Sequence, residues 1–259
     1  TGGTFTSSVG LSLDPTTGAI DLSASTPGNY QIDYSFFNNY NQIGPDIDGE
    51  AAGDQSGRSV SINAAGNIVA IGSPNNDGNG NNAGHARVFE WDGTNWIQLG
   101  SNINGESAGD GFGWSISCNA TGDIIAVGAP YNGSNAGHVR IYSWNGTSWV
   151  QQGLDIDGES SEDYSGYAVS MNSSGETLAI GAYTNGGTGF SSGHVRVYSW
   201  NGTIWVQQGQ DIDGEAAGDQ SGFTVAINSG GDVIAIGAIA NAGANGINSG
   251  HVRVYAWNG

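Results

Sequence analysis

Lysine is absent from this chain of 259 residues, and five arginines stand against 24 acidic residues, which leaves a formal charge of -19. Such a surface repels phosphate backbones and anionic lipid headgroups, so nucleic acid and membrane-surface partners are excluded. Cysteine occurs once, so no disulfide can form within the chain. No apolar run approaches the roughly 20 residues of a membrane span, and membrane insertion is not expected. Neither a signal peptide nor an initiator methionine opens the sequence, which predicts a mature or trimmed product. No G-x-S-x-G, H-E-x-x-H, P-loop or paired-cysteine motif occurs, and the expectation is that the chain is not an enzyme. Proline is scarce at five residues, whereas the 46 glycines are abundant and recur at fixed intervals. Acidity without lysine favours solubility and divalent cations.

Four near-copies of one segment fill most of the chain. Ile47-Asp48-Gly49-Glu50 returns as Ile103-Asn104-Gly105-Glu106, Ile156-Asp157-Gly158-Glu159 and Ile212-Asp213-Gly214-Glu215. A repeat of this length is one supersecondary unit that cannot bury its own apolar faces, so the array is the folding unit. Within the second copy, 114–119 alternates and 124–127 is continuously apolar, as suits a strand covered on both faces. His138 to Trp144 alternates again, and Asn145-Gly146-Thr147-Ser148 turns the chain into Trp149 to Gly153. The pattern predicts four antiparallel strands, with Trp91 opposite Trp96, Trp144 opposite Trp149 and Trp200 opposite Trp205. Cys118 aligns with Ile62, Met171 and Ile227 and reads as a small buried hydrophobe.

The copies are offset from the strands. The fourth stops at Trp257-Asn258-Gly259, while 37–44 matches the fourth strand of a preceding copy, with Tyr40 at the tryptophan position. Phe37, Tyr40 and Ile43 are therefore expected to complete the sheet of Trp257, which is how propellers remove open edges. The expected architecture is all-β: a β-propeller of four four-stranded blades over 37–259 with terminal-strand closure, preceded by a β extension over 1–36.

Phe112-Gly113, Val127-Gly128-Ala129-Pro130 and Gly137-His138-Val139-Arg140-Ile141-Tyr142 resemble the FG-GAP repeat of integrin-type β-propellers, in its bacterial secreted variety. The resemblance covers 37–259 and is looser in the other copies, where Ser56-Gly57, Ser165-Gly166 and Ser221-Gly222 lack the phenylalanine. Many FG-GAP blades carry a calcium loop between their first two strands; here short turns such as 63–67 stand there, and no such loop is carried over. Residues 1–36, with Asp14-Pro15-Thr16-Thr17-Gly18 and Pro27-Gly28-Asn29-Tyr30, resemble the closing strands of immunoglobulin-like repeats in Bacteroidetes surface proteins. Ile20, Leu22, Tyr30, Ile32 and Tyr34 would leave an uncovered apolar face, suited to strand addition from another copy.

Two residue sets carry potential chemistry. His85, His138, His194 and His251, with Arg87, Arg140, Arg196 and Arg253, occupy the same two positions of the third strand in every copy and read as structural, each arginine pairing an acidic loop. The links supply the candidate metal ligands: Asp46, Asp48, Glu50 and Asp54; Glu106 and Asp110; Asp155, Asp157, Glu159 and Asp163; Asp211, Asp213, Glu215 and Asp219. Closely spaced hard oxygens suit calcium, the only cofactor expected, which takes 6 to 8 of them. The sequence reading is an extracellular or cell-surface bacterial structural protein that assembles with itself into a fibre or array. The alternative is an adhesin or lectin-like propeller that binds surface glycans or proteins.

Overall fold

The computed structural model describes residues 3–36, 41–243 and 245–259. Two compact units divide the chain at Pro45/Asp46. In the first, β1 (Gly3–Ser7) pairs antiparallel with β2 (Ile32–Phe36), and Thr4 opposes Ser35. Between them Asp14 Oδ1 accepts the backbone N–H groups of Thr16 and Thr17, which fixes the turn before Gly18.

The second unit contains four antiparallel sheets in succession. The first sheet is β3 (Ser59–Ile62), β4 (Ile68–Ser73), β5 (His85–Trp91) and β6 (Trp96–Gln98), with β7 (Ile103–Asn104) also on β5. The second is β8 (Ser115–Cys118), β9 (Ile124–Ala129), β10 (His138–Trp144), β11 (Trp149–Gln151) and β12 (Ile156–Asp157). The third is β13 (Ala168–Met171), β14 (Thr177–Ala182), β15 (His194–Trp200), β16 (Trp205–Gln207) and β17 (Ile212–Asp213). The fourth, among the described residues, has β18 (Ser221–Ile227), β19 (Val233–Ala238) and β20 (His251–Ala256). The first three sheets each contain the expected run of four antiparallel strands, and the fourth shows three among the described residues. The starts of three links, Ile103-Asn104, Ile156-Asp157 and Ile212-Asp213, each add a short fifth strand beside the third, with Ile103 and Ile156 buried and Ile212 half-buried there.

Each turn does what its residues dictate. Asn145 Oδ1 accepts the N–H groups of Thr147 and Ser148, and the turn brings Trp144 opposite Trp149 with ring centroids 5.4 Å apart. Trp91 and Trp96 pair likewise, as do Trp200 and Trp205. Two of the second tryptophans reach back to the preceding sheet: Trp149 Nε1 donates to Leu99 O at 2.8 Å and Trp205 Nε1 to Gln152 O at 3.0 Å.

The sheets pack in a propeller-like way, the first strand of each against the sheet before it. One apolar cluster joins Ala86 and Val88 to Ile116 and Val127, and the next joins Val139 and Ile141 to Met171 and Ile180. The third joins Val195 to Ile236. A serine clips each of these junctions: Ser61 Oγ accepts from Cys118 N, Ser117 Oγ from Met171 N and Ser170 Oγ from Ile227 N. Cys118 is half-buried against the first cluster, and burial raises its thiol pKa.

Closure is not seen among the described residues. Residues 41–44 form no strand, Phe37 and Tyr40 lie outside the described residues, and the fourth sheet ends at β20. Val60 and Ile62 on the first sheet are 64% and 59% exposed, and Val252 and Val254 on the fourth are each 66% exposed. These apolar faces would be buried in a closed ring.

Candidate functional site

The link carboxylates separate into three roles. Asp54, Asp110, Asp163 and Asp219 are buried and hold the links themselves. Asp163 Oδ2 accepts Ser160 N–H at 2.9 Å and the Asn185 amide at 3.0 Å; Asp54 does the same with Ala51 and Asn76, and Asp219 with Ala216 and Asn241. Asp110 accepts from Ser107 N–H. Asp46, Asp48 and Asp157 are exposed, Asp213 is half-buried, and the exposed Glu215 lies by His251. The rest surround the third-strand histidines: Glu50 by His85, Glu106 and Asp155 by His138, Glu159 and Asp211 by His194. One ligand set in the sequence is therefore a set of link staples plus a set of histidine neighbours.

Arginine geometry distinguishes the copies. Arg87, Arg196 and Arg253 donate to link carbonyls, those of Asp48, Asp157 and Asp213, and lie within 3.4 Å of Ser56, Ser165 and Ser221 Oγ respectively. In the second copy Phe112 replaces that serine. Arg140 there turns to the carboxylates instead, donating through Nε and NH2 to Asp155 Oδ2 at 3.1 and 3.0 Å and pairing with Glu106. Each of these arginines thus meets an acidic link as expected, Arg140 through carboxylates and the other three through a link carbonyl with a serine hydroxyl nearby. Arg196 approaches Glu159 only to 3.9 Å.

The consequence is a difference between two otherwise matching clusters. Glu106, His138 and Asp155 are bridged by a guanidinium, whereas Glu159, His194 and Asp211 are not. Over the latter lies a cleft of about 570 Å³ lined by Glu159, Glu162, Asp163, Asp211, Asp213 and the loop Thr184–Ser191. His194 is 1% exposed, and its Nδ1, without a hydrogen-bond partner, faces Asp211 Oδ2 at 3.7 Å and Glu159 Oε2 at 3.8 Å. Burial first, then Arg196, holds the imidazole below its ordinary pKa, against the pull of Asp211, Glu159 and Asp163. A neutral imidazole beside two carboxylates can accept a cation or a proton.

A second feature was not read from the sequence. Arg58, Trp114, Tyr167 and Phe223 hold the same repeat position, the first three just before their strands and Phe223 within β18, and together they line a groove of about 400 Å³ flanked by all four sheets. Arg58 lies 4.1 Å over the Trp114 ring, Trp114 meets Tyr131 edge-on at 5.1 Å, and Tyr167 and Tyr183 lie 4.4 Å apart. The signal was present as Arg, Trp, Tyr and Phe in register, but read copy by copy it yields only a stray arginine.

The residues proposed for assembly fall in both units. Ile20, Leu22 and Ile32 are exposed at 44%, 82% and 43%, while the Tyr30 hydroxyl donates to Gly10 O. The Tyr34 side chain lies outside the described residues. Ile43 and Trp257 are 52% and 49% exposed. An apolar pocket of about 170 Å³ lies beside Trp257, lined by Gln208, Gly209, Ile234 and Tyr255. Gln208 is the counterpart of Leu99 and Gln152, so this pocket marks where Trp149 and Trp205 sit in the second and third sheets.

Comparison with known proteins places the fold only. No protein-family model matches the chain, and no curated protein matches it in sequence. Among solved structures, Kuenenia stuttgartiensis hydrazine synthase is similar at a TM-score of 0.51 and 13% identity, covering 77% of this chain and 51% of its own. A candidate 6-phosphogluconolactonase from Bacteroides uniformis is similar at a TM-score of 0.53 and 8% identity, covering 78% of this chain and 54% of its own. Both are propeller-type, so the chain has an all-β, propeller-type fold and spans about half the length of these relatives. The expectation of a non-enzyme is corrected here: both similar structures bear enzyme names, and the fold is therefore no argument against catalysis.

Proposed function

We propose that the chain is an assembly module of a bacterial cell surface, an arc of four FG-GAP-like blades that joins head to tail with further copies. One observation carries this reading. Gly72, Gly128 and Gly181 each touch the next sheet so closely that a Cβ would lie 2.0–2.1 Å from the carbonyl oxygen of Gly113, Gly166 or Gly222. Gly237 keeps glycine at the same place on the fourth sheet, yet the nearest atoms there belong to Thr224 of its own sheet. Beside it, Val252 and Val254 repeat the positions at which Val139 and Ile141 are fully buried. The fourth sheet is thus shaped for a following sheet, and the exposed Val60 and Ile62 of the first match the side chains that such a sheet would bring.

Sequence order makes a second copy the natural occupant. Its residues 37–44 have the repeat position of a fourth strand and lead directly into its first sheet, as 149–153 lead into β13. Seated on β20, they would bring Tyr40 toward the pocket beside Trp257, and β3 would follow onto Val252 and Val254. Such a heterologous contact makes a ring if the rotation closes and a filament if it does not. The N-terminal strands, with Ile20, Leu22 and Ile32 exposed, offer a further edge for strand addition. Sedimentation over a concentration series tests the reading: the chain should associate, and Val252→Asp with Val254→Asp should stay monomeric at unchanged Tm. A wild-type chain that is monomeric at high concentration would refute it.

The aromatic groove favours a second reading, an adhesin or lectin-like module. Trp114, Tyr131 and Tyr167 beside Arg58 form an amphipathic platform of the kind that holds ligands. A glycan array separates the two, since Trp114→Ala would abolish glycan capture without altering assembly.

A further inference from the structure

We infer that the cleft of the third sheet holds one divalent transition-metal ion of the zinc class, on His194 Nδ1, Glu159 and Asp211. The inference does not rest on assembly. Three donor atoms of these residues lie within 4.8 Å of one another, and the nitrogen is fully buried with no hydrogen-bond partner. An unpartnered nitrogen kept beside two carboxylates is costly unless something satisfies all three. Donors around zinc stand about 3.3–3.6 Å apart at bond lengths of about 2.0–2.2 Å, so the two imidazole–carboxylate separations of 3.7 and 3.8 Å need close by only a few tenths, while the two carboxylates lie within 4.8 Å of each other.

Donor chemistry selects the ion. Calcium takes oxygen ligands and seldom imidazole, whereas imidazole with carboxylates suits zinc and its neighbours. The cleft above leaves open positions for water or a ligand, and Glu162 and Asp213 on its wall add negative charge that attracts a cation. Burial keeps the imidazole neutral, as a ligand must be.

The other copies each lack one requirement. In the first, Asn102 takes the place of the aspartate and its amide donates to Glu50. In the second, Arg140 occupies the space between Glu106 and Asp155. In the fourth, only Glu215 lies by His251 among the described residues. One ion per chain follows, although the repeat prints four histidines.

The test is titration of metal-stripped full-length chain with zinc, followed by calorimetry and by metal analysis after dialysis. Binding should approach one ion per chain, fall at least 10-fold in Asp211→Asn and in Glu159→Gln, and stay unchanged in Asp155→Asn. Phe112→Ser, which restores the hydroxyl that draws the other arginines away, should raise the capacity toward two. No zinc binding, calcium bound in preference to zinc, or equal losses in Asp211→Asn and Asp155→Asn would overturn the assignment. His194→Gln is read only alongside these two surface-side variants, because the buried position can itself impair folding.

Discussion

The second and fourth sheets are written in nearly the same letters and live in different surroundings. His138-Val139-Arg140-Ile141-Tyr142 and His251-Val252-Arg253-Val254-Tyr255 differ at one apolar position. Yet Val139 and Ile141 are fully buried, while Val252 and Val254 are each 66% exposed. The strand does not decide its own burial; the next sheet does. Burial of a valine stabilises by about 1.5–3 kcal/mol, so an uncovered pair leaves a substantial driving force for association.

The largest expected effect breaks this comparison directly. Val139→Asp puts a charge into a sealed junction and should cost more than about 4 kcal/mol, measured by denaturant unfolding. Val252→Asp should cost about 1 kcal/mol or less in the dissociated chain. Equal losses would mean that the fourth sheet is covered within the molecule.

An intermediate effect concerns pH. Burial holds His85, His138 and His194 below the ordinary imidazole pKa, so the unfolded chain binds more protons than the folded one below about pH 6.5. The stability they contribute is present above that pH and is lost as pH falls through the folded-state values. Thermal melts should therefore show Tm decreasing from pH 7 toward pH 5, a fall that a constant Tm over this range would contradict.

The smallest effect sharpens the junction. Ser61, Ser117 and Ser170 clip successive sheets, but their counterpart in the fourth is Ala226. Ala226→Ser should supply the missing hydrogen bond and strengthen association by about 1 kcal/mol, roughly five-fold in the dissociation constant. Unchanged affinity in sedimentation would indicate a different mating geometry.

Much of the fold was legible from sequence because repetition multiplies weak local signals. The tryptophan pairs and the buried second strands followed from turn length and alternation, which are local. Ring closure was not legible, since it depends on curvature between sheets, and no single repeat encodes it. The acidic links looked like one ligand set for a related reason: spacing places Asp155 and Asp163 together, but only the fold shows that Asp163 is consumed by Ser160 and Asn185. Whether Arg140 bridges its cluster depends on Phe112, a residue 28 positions away in sequence whose effect is visible only in space.

Disulfide trapping tests head-to-tail assembly most directly. At the first internal junction Ser61 Oγ and Cys118 Sγ lie 3.2 Å apart, and their counterparts across the open junction are Ala226 of one copy and Ile62 of the next. With Cys118→Ser as background, chains carrying Ala226→Cys are mixed with chains carrying Ile62→Cys and oxidised. The account predicts the mixed disulfide dimer in excess over either like pair. A monomeric, internally bridged product from the chain bearing both substitutions, or like-with-like dimers alone from the mixture, would contradict it.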